Sequence, residues 1–171
     1  MFKNNCCGMN GINLRSVLTR RPNAMAHIMG SAKYPDIMGE VRFYQLDIGV
    51  IVVTEVMGLP ESKDICMSPV FGYHIHSGRC CTGNREDAFA DAMAHYNPDD
   101  CEHPYHAGDM PPLFGNCGYA YSVFLTNRFC VEEIIGRTVI IHLHPDDFHS
   151  QPAGEAGMKI ACGMIKEVYL L

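Results

Sequence analysis

Short apolar segments of strand length recur along this chain between glycine and proline punctuation, and no stretch holds a strong helical period over three turns. The segments are 24–30 (AMAHIMG), 39–46 (GEVRFYQL), 48–57 (IGVIVVTEVM), 70–76 (VFGYHIH), 118–126 (GYAYSVFLT), 137–144 (RTVIIHLH) and 159–168 (KIACGMIKEV). Each is rich in β-branched or aromatic residues, which fit a pleated, half-buried surface. Strands at this spacing predict an all-β sandwich or barrel of about eight antiparallel strands. A weak helical pattern lies at 84–95. Two long irregular stretches, 77–114 and 145–158, interrupt the strands. Loops of that length inside a compact domain are usually functional, and these two hold or border nearly all the histidines.

With 171 residues, 47% of them apolar, the chain has material for one domain with a real core. The polar, Asn-rich start reads as a loosely ordered arm over 1–23, leaving 24–171 as the domain. Lys and Arg number 13 against 19 Asp and Glu, a formal charge of -6, which excludes the basic footprint that nucleic acid requires. The most apolar stretch, 48–57, carries Glu55 and is far too short to span a bilayer. The N-terminus, MFKNNCCGMNGINLRSVLTRR, lacks an apolar h-region and a small-residue cleavage site, so a cytoplasmic protein without a secretory leader is expected. Nine cysteines, an odd count at irregular spacing, are not a disulfide framework and point to mostly reduced thiols. The adjacent pairs Cys6-Cys7 and Cys80-Cys81 could hold a soft metal, although free thiols are the simpler reading.

The histidines carry the chemistry. His74 and His76 sit at i, i+2 in a strand-like segment, so alternation sets both imidazoles on one face while Phe71, Tyr73 and Ile75 turn into the core. His95 follows in A-H-Y-N-P, then His103, His106 and Asp109 in H-P-Y-H-A-G-D. Three imidazoles and one carboxylate match the ligand types and count of a closed tetrahedral zinc site. His142 and His144 repeat the i, i+2 spacing, with His142 where a strand meets a loop. His144 and His149 read as solvated loop residues, and His27 as a sheet-surface residue.

Taken in order, G-Y-H-I-H, C-T-G, A-H-Y-N-P, H-A-G-D, G-R-T-V-I-I-H, P-D-D and I-A-C-G-M-I resemble the succession of motifs in copper/zinc superoxide dismutases, bacterial members most closely. The likeness runs from Ala24 to Val168 and leaves the N-terminal arm outside. It implies a Greek-key β-sandwich or flattened barrel with a metal-binding loop and an electrostatic loop. It implies copper and zinc as cofactors and superoxide anion as substrate, converted to dioxygen and hydrogen peroxide. By the same resemblance His74, His76 and His142 hold copper, His95 bridges both metals, and His103, His106 and Asp109 complete the zinc site. Asp146 is implied as the carboxylate that tethers one ligand imidazole on each metal, and Cys81 and Cys162 as a disulfide. His95 is further implied to take up a proton in one half-cycle and deliver it in the other.

Three features depart from the family pattern. Lys159, in M-K-I-A-C, stands where the family has an arginine that guides the anion; the charge is kept but the planar fork is lost. The stretch 145–158 contains Asp146, Asp147 and Glu155 but no Lys or Arg. Cys80 adjoins the expected disulfide partner Cys81. A copper/zinc-buffering protein on the same scaffold is the competing reading, favoured by the thiol pairs and the missing arginine and opposed by the complete ligand set with Asp146. A zinc hydrolase needs an open metal position and a base, and neither can be assigned. No nucleic-acid or membrane partner is expected, and a homodimer is left open.

Overall fold

In the first strand every second residue is buried: Ala24, Ala26 and Ile28 face inward, while His27 and Met29 are exposed. The computed structural model describes Gly11, residues 13–64 and residues 69–169. Its strands are β1 (Ala24–Gly30), β2 (Met38–Leu46), β3 (Gly49–Met57), β4 (Val70–Phe71), β5 (Tyr73–His76), β6 (Leu113–Phe114), β7 (Ala120–Thr126), β8 (Thr138–His142) and β9 (Lys159–Glu167). Seven form one antiparallel sheet in the order β5-β8-β9-β1-β2-β3-β7, which curls into a half-barrel. β4 runs almost directly into edge strand β5, and its partner β6 lies against the other edge strand, β7. The fold is therefore all-β, a flattened barrel with its apolar side chains gathered inside.

The core is filled by residues such as Ile28, Val41, Phe43, Val52, Phe71, Tyr73, Ile75, Ile141 and Ile165. Tyr73 is fully buried, and its hydroxyl meets the Thr54 hydroxyl at 2.7 Å, joining β5 to β3 across the interior. Burial pushes the Tyr73 phenol well above its ordinary range, with the Thr54 contact opposing that only in part.

Local chemistry changed several expected boundaries. The segment 70–76 is broken at Gly72, whose N–H donates to the His144 carbonyl and whose carbonyl accepts from the His142 N–H. A Cβ at Gly72 would stand 2.7 Å from that of Ala156. The weak pattern at 84–95 yields a single 3-10 turn, Ala90–Ala92, and no α-helix. Asn84 Oδ1 takes the N–H groups of Glu86 and Asp87, and Asp87 Oδ1 that of Phe89, so side chains compete for the donors a helix needs.

Part of the arm expected to be loose is ordered. Asn13 caps a short helix, α1 (Leu14–Leu18), and Val17 packs on Tyr44, Ile51 and Val53. A second short helix, α2 (Val131–Ile134), has Glu133 reaching back to the Cys130 N–H at 2.7 Å. The Cys6-Cys7 pair lies outside the described residues. No helix among the described residues is long and apolar enough to cross a membrane.

Candidate metal centre

Strand β5 has hydrophobic residues on its inner face and two imidazoles on its outer face, and all four residues are buried. On one side it pairs with β8, where His74 stands opposite Ile140. Its free edge is met by the long loop: His95 bridges to His76, and Asp109 to His74. The Tyr96 N–H donates to the Ile75 carbonyl, and the Ile75 N–H to the Gly108 carbonyl, each at 2.8 Å. Backbone pairing thus delivers His95 and Asp109 to the strand that carries His74 and His76. A register shift between Ile141 and His142 buries both Ile160 and Ala161 in the core and sets Lys159 opposite His142.

His74, His76, His95 and His142 form one group whose ligand atoms lie within 4.8 Å of one another. The His76 Nδ1–H donates to the Met93 carbonyl at 2.8 Å, and the His142 Nδ1–H to the Gly157 carbonyl at 3.0 Å. Those bonds fix the tautomers and leave two Nε2 lone pairs facing each other at 3.2 Å. His74 Nδ1 and His95 Nε2 are buried without a hydrogen-bond partner. Converging lone pairs and orphaned ring nitrogens are unfavourable for a protein alone and suit a cation. Burial, followed by the neighbouring His74, pushes the His142 imidazole down to about 3, and burial drives His76 well below its ordinary value, so both are neutral at neutral pH, the form in which an imidazole can bind a metal.

His95, His103, His106 and Asp109 form the second group. His95 Nδ1 lies 2.8 Å from Asp109 Oδ1, His106 Nδ1 lies 3.4 Å from His95 Nδ1, and His103 Nδ1 lies 3.1 Å from Asp109 Oδ2. The last pair lacks hydrogen-bond alignment, so His103 Nδ1 is also orphaned. Four ligands at about 2.0–2.1 Å in a tetrahedron stand about 3.4 Å apart, close to these separations. Burial opposes ionisation of Asp109, but the adjoining His95, His106 and His103 outweigh it and hold the carboxyl below its ordinary value. His95 belongs to both groups through opposite ring nitrogens.

Asp146 joins the two groups from behind. Its Oδ2 accepts from His74 Nε2 at 2.7 Å and its Oδ1 from His103 Nε2 at 2.8 Å. Burial would raise its pKa, but the donors His74, Phe148 N–H and His103 lower it far below the ordinary carboxylate range. Gly154 has a positive φ and lies so near this carboxylate that a Cβ there would run into Asp146 Oδ1. Gln151 accepts from the His103 N–H at 3.0 Å and donates to its carbonyl at 2.7 Å. Arg128 donates to the carbonyls of Pro104, His106 and Asp109.

Cys81 and Cys162 form a disulfide, tying the long loop to β9, while Cys80 is free and exposed. Lys159 is paired with Asp87, a partner not expected from sequence. His27, His144 and His149 are exposed. Sequence reasoning also passed over Met93, Gly157, Gln151, Gly154 and Arg128. Met93 and Gly157 act through main-chain carbonyls, which no side-chain motif reports. Gln151, Gly154 and Arg128 act on loop backbone that is close only in the fold.

Comparison with known proteins agrees with this geometry. The sequence profile described as copper/zinc superoxide dismutase (SODC) matches residues 37–165. A Cu-Zn superoxide dismutase of Pasteurella multocida is 34% identical over 160 residues, covering 78% of this chain and 86% of the relative. One from Legionella pneumophila is 31% identical over 149 residues, covering 82% and 85%. Superoxide dismutase 2 of Aquifex aeolicus is 29% identical over 147 residues, covering 77% and 80%. A solved superoxide-dismutase-like protein from Bacillus subtilis, a double mutant, superposes with a TM-score of 0.66 at 24% identity, covering 81% of this chain and 94% of the other, and shows the same fold. A profile spanning most of the chain, with relatives above 30% identity, makes this chain a member of the copper/zinc superoxide dismutase family.

Proposed function

We propose that this chain is a superoxide dismutase, converting two superoxide anions and two protons to dioxygen and hydrogen peroxide. The observation that carries the proposal is His95, which offers opposite ring nitrogens to two buried, closed groups of ligands. His74, His76, His142 and His95 would hold copper; His95, His103, His106 and Asp109 would hold zinc. Copper supplies one-electron redox chemistry at such a site, and zinc, with a filled d shell, only organises it.

The chain's own residues do the rest. The Met93 and Gly157 carbonyls keep the Nε2 atoms of His76 and His142 free to bind. Asp146 orients His74 and His103 together, coupling the two groups mechanically. His95 Nε2 is the atom at which a proton is taken up and released between half-cycles. Lys159, beside His142, provides a cation that draws in the anionic substrate. A buffer for metals has no use for a shared imidazole with both neighbours oriented by one carboxylate.

The deciding experiment measures metal content and superoxide decay on the purified full chain before and after loading with copper and zinc. About one of each metal per chain, with activity appearing on copper loading, is the expected result. Full loading without dismutation would leave the metal-buffering reading. His103→Ala with Asp109→Ala should lose zinc first, and retention of both metals in that variant overturns the ligand assignment.

A further inference from the structure

The outer face of β1, β2 and β3 carries three methionines in one cross-strand row. Met29 stands opposite Met38, and Met38 opposite Met57. Directly opposed residues share a face, and their Cβ atoms are about 4.5–5.5 Å apart. The three residues are 70%, 54% and 48% exposed. Two other parts of that face are covered: α1 packs on Tyr44, Ile51 and Val53, and Phe89 with Ala92 packs on Ile140 and Cys162. The row begins where the second cover ends, since Met29 is the register partner of Cys162. His27, two residues before Met29 in β1, is exposed on the same face.

We propose that Met29, Met38 and Met57, with His27 beside them, form a surface site for a soft monovalent d10 cation, Cu(I) in a copper protein. Thioether sulfur is a neutral, soft donor that selects Cu(I) over zinc, and imidazole accepts copper as well. Methionine is unbranched with three free torsions, so neighbouring sulfurs can converge without moving the sheet. Leucine or valine would fill an exposed row as well if packing were its purpose. The same register line continues from Met29 through Cys162 and Ile140 to His74. Three strand spacings, about 14 Å, therefore separate the row from the candidate centre. The site is distinct from that centre and does not depend on its activity.

The test is a titration of the copper- and zinc-loaded full chain with silver(I), a redox-inert soft cation, in chloride-free buffer. Free thiols are alkylated first, and the methionine methyl resonances are followed by NMR. One silver per chain should bind with concerted shifts at Met29, Met38 and Met57, and zinc(II) should leave those methyls unmoved. Met38→Leu, which conserves volume, should weaken silver binding at least about ten-fold with the dismutase rate unchanged. Unweakened binding in Met38→Leu, or independent responses of the three methyls, overturns the proposal. So does silver-insensitivity combined with shifts that follow protein concentration, which would make the row a contact between two copies.

Discussion

Lys159 and Asp87 form an ion pair that joins the start of β9 to the loop carrying His95, with the Phe89 carbonyl accepting a second bond from Lys159 at 3.3 Å. The cation opposite His142 is therefore partly neutralised where it stands. If Lys159 draws the substrate, Asp87→Asn should raise the rate about two- to three-fold at low salt. The rate of that variant should also fall more steeply as the Debye length shortens from about 30 Å to about 8 Å between 0.01 and 0.15 M salt. Lys159→Glu should lower the rate about ten-fold with metal content unchanged, and Lys159→Arg should preserve or exceed it. Pulse radiolysis across a salt series reads all three; an unaltered rate and salt slope in Lys159→Glu would remove the lysine from the mechanism.

The same pair sets a pH dependence. Partial burial raises the Asp87 pKa, but the Lys159 ammonium and the Phe89 N–H together lower it beneath the ordinary value of 3.8. A carboxyl depressed on folding contributes stability fully above its unfolded pKa and loses it as pH falls through the folded one. Carboxyl 13C NMR should show Asp87 titrating below 3.8 in the parent and returning toward that value in Lys159→Met. A parent titration at the ordinary value would mean that the pair is not formed in solution.

Asp146 holds one imidazole of each ligand group, so Asp146→Asn should weaken both metals together, by about ten- to a hundred-fold. Gly154→Ala should do the same without replacing Asp146 or any residue of the two groups. A Cβ there would run into Asp146 Oδ1 and stand 2.7 Å from His103 Nε2, at a φ of +65° that disfavours side chains. Competition titrations with chelators for copper and zinc measure both effects. Loss of one metal alone in Asp146→Asn would show that the two tethers act separately.

The Cys81–Cys162 disulfide spans a sequence separation of 81. The chain-entropy model values such a closure at about 4.5 kcal/mol. Cys81→Ser should lower the denaturation free energy by up to that amount, whereas Cys80→Ser should leave it nearly unchanged. Equal effects from the two substitutions would mean that the cysteines exchange roles in solution.

The strand segments were legible because β-branched residues and glycine or proline stops act locally. The pairing of His74 with His76 was legible because alternation needs no tertiary information. Their joining with His95, His103, His106 and Asp109 came from the likeness of ordered motifs, since spacing alone does not say that a loop returns to the edge of β5. Helix α1 was missed because one buried residue, Val17, gives no periodicity, and its stability comes from packing on Tyr44 and Ile51. Gly72 looked like part of a continuous strand because the contact that breaks it involves Ala156, far along the chain. Asp87 read as one more acidic loop residue; only the fold sets it beside Lys159.

The hydroxyl contact between Thr54 and Tyr73 reaches past the core. Tyr73 precedes His74 in the chain, so the bond anchors the ligand strand from behind to β3 on the opposite wall. The spacing of the outer imidazoles is thus inherited from the barrel before any metal arrives. Removing the metals should loosen the long loop and leave the strands standing, with amide exchange rising at His103 and His106 well before it rises at Tyr73.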